Sequence, residues 1–320
     1  MAHHVETMAW SGEVPWHGLG TEVNNDLSPM EMREAAGLDW EVYKSDNYVE
    51  INGEWVATGT QSLIRDSDHR ILSAVVNEDW NEVSMEKTFE FFQDFCVNGD
   101  MEMNTAGSLR NGEIVWALAK VKDSFEAVPG DRVDSYLLLS NFFQYGKATD
   151  VRFTPIRVVC NNTISLALQS ASKNIVKVSH RTEFDGDYVK EQLGIAKDKM
   201  ESYKLMAEFL SKRKATKKSV VKYFQDVFPG KGLKKSEDEA LTQLSLPGRL
   251  AYQSLDTQPG AEYGEGSWWQ AFNAVTFATD HLRGNSQETR LESAWYGAGA
   301  KSKNKALELA VEEAEKSPAL

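Results

Sequence analysis

The chain has 320 residues, 41% apolar and 10% aromatic, which suits one large domain or two modest ones with a real core and excludes a disordered polypeptide. Its formal charge of −13 argues against nucleic-acid binding by the chain as a whole, and no run approaches the roughly 18 apolar residues of a transmembrane helix. The two cysteines, Cys96 and Cys160, lack C-x-x-C spacing, which excludes a disulfide framework and a thiolate zinc site.

The start, MAHHVETMAW, lacks the basic and apolar regions of a signal peptide, so a reducing, cytoplasmic setting without a membrane is expected. Gly12, Pro15, Gly18 and Gly20 then punctuate a structured loop or arm. The stretch SPMEMREAAG predicts a short helix. Ser28 is its N-cap, Pro29 its first residue, Glu31 closes a capping box and Gly37 ends it. Strand-like segments follow, NYVEINGEW with an Asn52–Gly53 turn and VATGTQSLIRDSDHRILSAVV with a second turn at DSDH. In SMEKTFEFFQDFCVNG, Ser84 caps an amphipathic helix whose apolar face carries Met85, Phe89, Phe92 and Cys96, and Gly99 ends it. Three strands are expected next, in EIVWALAKV, DSYLLLSNFF and DVRFTPIRVVC. Two of them are nearly continuous apolar runs, as central strands covered on both faces are. The chain is then expected to turn helical at NNTISLALQSA, capped by Asn162 or Thr163.

From residue 187 the pattern changes. Val189, Leu193, Ala196, Met200, Tyr203, Ala207 and Leu210 follow a heptad, a seam that packs within the chain or pairs between protomers. This helix ends in SKRKATKK, and a second helix, SVVKYFQDVFPG, follows. Residues 231–266 are polar and glycine-rich and read as a linker or lid. The C-terminal stretch 267–320 holds SWWQAFNAVTFATDHLR, with Trp268, Phe272, Val275 and Leu282 in one stripe, and a last helix in KNKALELAVEEAE. The predicted architecture is α+β. Residues 1–185 form a twisted, mostly antiparallel sheet packed with helices, and a helical C-terminal region begins with the seam-bearing helix pair at 186–230.

Charge is unevenly distributed. Residues 1–120 carry 7 Lys/Arg against 22 Asp/Glu, whereas residues 121–230 carry 18 against 13, so a basic middle lies between acidic flanks. Single-stranded nucleic acid requires a cationic track with aromatic platforms. Lys147, Arg152, Arg157, Lys173, Lys177 and Arg181 supply such a track, with Phe153 among them. Arg152 and Arg157 have opposite strand parity and share a face only if Pro155 introduces a bulge. The competing reading pairs one of these arginines with an acidic residue of the N-terminal region.

Other chemistries have weaker signals. Cys160, at a strand end before a helix, has the placement of an activated thiol, with His180 or His17 as base and Asn161 or Asn162 orienting it. The same cysteine after Val158 and Val159 also reads as the last residue of a buried strand. No histidine pair has i, i+4 spacing, and neither a calcium loop nor a P-loop occurs, so no metal, cofactor or catalytic residue is expected. The adjacent Trp268 and Trp269 read either as core or as one core residue and one partner contact.

The blocks PWHGLG, NTAGSLRNGEIVWALAKV, YLLLSN, VRFTPIRVVCNNTISLAL and AFNAVT...DH...ESAWYGAGAK occur in order across nearly the whole chain. Together they resemble the phage/plasmid-like protein family, catalogued as domain-of-unknown-function family 932, which implies a phage or mobile-element protein in a bacterial cytoplasm. The element order is more distantly similar to phage single-strand annealing proteins of the Redβ/RecT class. That similarity implies an oligomeric, ATP-independent, non-enzymatic protein that binds and anneals single-stranded DNA in recombination or replication. Arg152, Arg157, Lys173, Lys177 and Arg181 would then contact phosphate, with Phe153 or Trp116 stacking on bases. The alternative is a self-associating assembly protein that binds a phage or host protein, and third is a thiol enzyme built on Cys160.

Overall fold

A computed structural model describes residues 4–12, 14–15, 18–157, 162–163, 175–284 and 289–320, with backbone alone at 123, 157, 162–163 and 193–200. Strand β1 (Val5–Ser11) and the short β2 (Thr21–Val23) precede helix α1 (Pro29–Ala35). The strands β3 (Val42–Ile51), β4 (Glu54–Arg65) and β5 (Ile71–Val76) form a separate three-stranded sheet, followed by α2 (Met85–Val97). Strands β6 (Met101–Leu109), β7 (Ile114–Glu126), β8 (Arg132–Phe142), β9 (Ala148–Arg157), β10 (Asn162–Thr163) and β11 (Ile175–Ser179) complete the large sheet. Its order is β10-β9-β8-β7-β6-β1-β2, with β11 also on β9, and every pairing except β1–β2 is antiparallel. Helices α3 (Gly186–Ser211), α4 (Lys217–Val227), α5 (Glu239–Thr242), α6 (Leu246–Ser254), α7 (Trp268–Phe277), α8 (Arg290–Tyr296) and α9 (Ala298–Glu315) make up the C-terminal region. The protein is α+β, as its patterning predicts.

Local chemistry explains the elements that sequence anticipates. Ser28 caps α1 with a capping box, its backbone N–H donating to Glu31 Oε2 at 2.8 Å. Asn52 and Gly53 both adopt positive φ, 53° and 86°, as a tight β3–β4 hairpin requires. Strands β7 and β8 lie mid-sheet with both faces buried. Val115, Ala117, Leu137 and Leu139 face a core closed by α1 and α2, while Trp116, Leu118 and Leu138 face one closed by Leu291, Trp295 and Tyr296 near α8. A third core joins α3, α4, α7 and α9 around Trp268, Trp269 and Phe272, and reaches the sheet at Val133.

Several expectations are corrected. Asn162 and Thr163, expected as helix caps, pair with Arg157 and Ile156 as strand β10, and the expected helix after them lies outside the described residues. Pro155 causes no bulge: β8 and β9 stay in continuous register from Val133–Arg157 to Ser140–Asp150. The segment expected as linker or lid carries α5 and α6, and Ala240, Leu244 and Ala251 bury against the helical core. Leu282 is exposed, because α7 continues into a π-helical turn (Ala278–Leu282) that rotates it out of the stripe. In the seam, Val189 packs on the sheet core and Tyr203, Ala207 and Leu210 on the helical core, so its described positions are filled within the chain. Strands β1, β2, β6 and β11 are not anticipated. Val158, Val159, Cys160 and Asn161 lie outside the described residues, as does His17.

Two close contacts hold these layers. A Cβ on Gly107 would meet the Thr7 carbonyl oxygen at 2.4 Å and the Trp116 ring at 2.5 Å, so only glycine lets β1, β6 and that indole approach. In the helices, Lys303 Nζ donates to Asp280 Oδ1 at 2.8 Å with both side chains fully buried. Burial lowers the Lys303 pKa and Asp280 opposes that shift.

Gly107→Ala is expected to destabilise the fold by about 1–3 kcal/mol in urea unfolding, since backbone and a packed indole both have to move. Asp280→Asn is expected to cost about 3–5 kcal/mol by stranding a buried charge, whereas Asp280→Leu with Lys303→Met recovers most of that loss. Thermal and urea melts of the three variants check both statements.

Candidate nucleic-acid interface

The turn between β8 and β9 and the end of β11 converge at one corner of the large sheet. Ser179 pairs with Ala148, which brings the residues after β11 beside that turn. Alternation along β11 buries Val178 and His180 and leaves Lys177, Ser179 and Arg181 exposed. In the turn, Gly146 has φ 75°, Lys147 N–H donates to the Gln144 carbonyl at 3.1 Å, and Tyr145 is 58% exposed. The turn after β5 supplies Trp80, whose ring stacks on His180 with centroids 4.2 Å apart and planes 20° from parallel.

Together these pieces enclose an open cavity of about 300 Å³, lined among others by Asp79, Trp80, Tyr145, Lys147, His180 and Arg181. Its floor is rigid. His180 is 3% exposed, its Nδ1–H donates to the Asn81 carbonyl at 2.8 Å, and the Asn81 N–H returns a bond to the His180 carbonyl. Burial lowers the His180 pKa, with the Asn81 and Phe142 carbonyls pulling weakly the other way, so the imidazole is neutral at pH 7. Neither His180 Nε2 nor Trp80 Nε1 completes a hydrogen bond among the described residues. The rim is cationic. Lys147 and Arg181 line it and are exposed, as is Lys177 two residues before Ser179 on β11; none of the three forms an ion pair among the described residues, and Asp79 is the carboxylate in the lining.

Of the residues that sequence singles out, Lys177 and Arg181 share this corner with Lys147, while the others are placed differently. Arg152 is held by Asp150, with Nε–Oδ1 at 3.1 Å and a second contact from Nη2 to Oδ2. It also donates to the Trp295 carbonyl at 3.4 Å and lies 5.7 Å from the Tyr296 ring centroid. Arg152 therefore locks α8 to the sheet and is not a phosphate contact, and its partner Asp150 lies on its own strand rather than in the acidic N-terminal region. Trp116 is fully buried, edge-on to Trp295 with its Nε1–H donating to Thr105 Oγ1 at 3.2 Å, so no base can stack on it. Phe153 is half-buried and wedged between the sheet core and the helical core. Lys173 lies outside the described residues, and only the backbone of Arg157 is described.

Sequence reasoning misses Tyr145 and Trp80. The signal for Tyr145 is present in QYGK, an aromatic and a cation flanking a turn glycine between two strands. Trp80 carries no comparable local signal, since its role arises from a stack on a residue 100 positions away.

Cys160, on which the thiol reading rests, lies outside the described residues. Cys96 lines a groove of about 600 Å³ with Asp26, Glu31 and Glu102, and burial, then Glu102, pushes its thiol up to about 11, the opposite of activation. Trp268 and Trp269 are both fully buried, and Trp269 Nε1–H donates to Asp131 Oδ2 at 2.7 Å. Among the described residues no cluster of three or more His, Cys, Asp or Glu side chains could hold a metal, and no helix is long and apolar enough to cross a membrane.

No curated protein and no solved structure matches the chain. Residues 73–306, most of its length, match the family model described as Domain of unknown function (DUF932), and the chain belongs to that family.

Proposed function

We propose that the protein binds single-stranded DNA at the corner formed by the β8–β9 turn and β11, and acts as an ATP-independent annealing protein in phage recombination or replication. The observation that carries this reading is the placement of Lys147 and Arg181, exposed and without an ion pair among the described residues, around an exposed Tyr145 in the lining of one cavity, with the exposed Lys177 two residues before Ser179 on β11. Cations take the phosphates and an exposed ring takes a base without regard to sequence. Beneath it the buried Trp80 and His180 rings stack on each other and hold the two turns together. A net charge of −13 is compatible with this, because affinity follows the local potential and not the total. The phage setting rests on the resemblance of the sequence blocks alone.

Fluorescence anisotropy with a labelled oligothymidine tests the proposal. Binding at low salt is expected, with log K falling against log salt by about 0.7 per phosphate neutralised, or about 2 for three cations. Lys147→Glu with Arg181→Glu is expected to weaken binding at least about tenfold, and Tyr145→Ala to cost about 1–3 kcal/mol. Failure to bind at low salt, or indifference to the double charge reversal, would overturn it.

A further inference from the structure

The three-stranded sheet ends in a projecting ribbon. Strand β5 pairs with β4 no further than Gln61, so residues 48–59 form a two-stranded hairpin whose residues are exposed on both faces. Register puts Val49, Val56 and Ile51 on one face and Tyr48, Trp55 and Ala57 on the other. Trp55 is 71% exposed, Tyr48 55% and Ile51 51%. Two strands alone are marginally stable in water, and open apolar edges are templates for association. Trp55, Tyr48 and Ala57 give one face of the ribbon an exposed apolar patch, and such a patch marks an interaction site.

Charge indicates what covers it. Beside these apolar residues the ribbon carries Glu50 and Glu54 and no cation, and at its base Lys44 donates to the Glu78 and Trp80 carbonyls at 3.1 Å. Packing the Trp55 faces of two ribbons against each other would bring Glu50 of each copy into the contact without a counter-charge. A complementary surface exists on the same chain, where α3 meets α4. Lys212, Lys214, Lys217, Lys218 and Lys222 are all exposed there, and Leu205, on the helical face of Lys212, is 57% exposed. Lys218 and Lys222 lie one turn apart on α4 and form no ion pair among the described residues.

We propose that the β3–β4 ribbon of one copy docks on the cationic α3–α4 corner of a second copy. The contact joins two different surfaces, so each copy offers both halves and repetition generates a ring or a filament. Apolar burial of Trp55 and Tyr48, which share one face of the ribbon, provides the attraction, and the charge of Glu50 on that face against the lysines sets orientation and opposes ribbon-to-ribbon pairing. This surface is separate from the proposed DNA corner and does not depend on it.

Sedimentation velocity of the full chain over a range of concentrations tests this, with circular dichroism verifying that each variant is folded. The wild type is expected to self-associate, less so as salt rises. Glu50→Lys/Glu54→Lys and Lys218→Glu/Lys222→Glu are each expected to weaken association about tenfold or more, as is Trp55→Ser. An equimolar mixture of the two charge-reversed proteins is expected to associate again, since each then meets an opposite charge on the other. A wild type that stays monomeric at every concentration overturns the proposal. So does a mixture that fails to recover, or assembly indifferent to Lys218→Glu/Lys222→Glu, the result expected of ribbon-to-ribbon packing.

Discussion

Strands β7 and β8 are apolar on both faces, and the rest of the molecule is arranged around covering them twice. Val115, Ala117, Leu137 and Leu139 need one cover, and Trp116, Leu118 and Leu138 need another. The first is local in sequence: α1 and α2 supply Met32, Ala36, Phe89 and Phe92 shortly before the strands begin. The second comes from the far end of the chain, where Leu291, Trp295 and Tyr296 close over Trp116. A sheet without its C-terminal helices would leave one whole apolar face in water, so the N-terminal sheet and the C-terminal helices depend on each other for stability.

Polar contacts fix how that second cover sits. Arg152 reaches from Asp150 to the Trp295 carbonyl, Tyr296 shares a 2.7 Å hydrogen bond with Ser140, and Arg110 pairs with Glu292. Burial, with Asp150 adding to it, holds the Tyr296 phenol well above its usual range, so it serves as a neutral hydrogen-bonding group. Further along, Trp269 donates to the buried Asp131 at the start of β8, tying the helical core to the same sheet. Apolar burial supplies most of the free energy here. These directional bonds select one placement of α8 and α7 on a surface that apolar contact alone would let slide.

Where a signal is local, sequence reveals it. The Ser28 and Ser84 caps, the Asn52–Gly53 turn and the apolar runs of β7 and β8 are all set by residues within a few positions of one another. Strand β6 is hidden because MEMNTAGSL is small and polar at several positions, and its burial follows from β1 and β7 on either side. The heptad in α3 shows an apolar stripe but not its partner, which for the described positions is the chain's own sheet and helices. The same limit governs the site. Lys177 and Arg181 are readable as cations, but that Lys147 and Tyr145 meet them depends on the pairing of β11 with β9.

That pairing also decides which cations of the basic middle segment remain available. Arg152 and Lys177 differ little in sequence context, and both belong to the same strand pair. Arg152 lies beneath α8, where desolvation without a counter-charge would be costly, and Asp150 beside it supplies that charge. Lys177 lies on the edge strand, exposed and without an ion pair among the described residues. A cation's availability is therefore set by the layer above it, and counting charge along the chain overstates what the surface offers. Lys147, Lys177 and Arg181 are cations that the described ion pairs leave unused at this edge of the large sheet, where the turn bearing Tyr145 stands beside them.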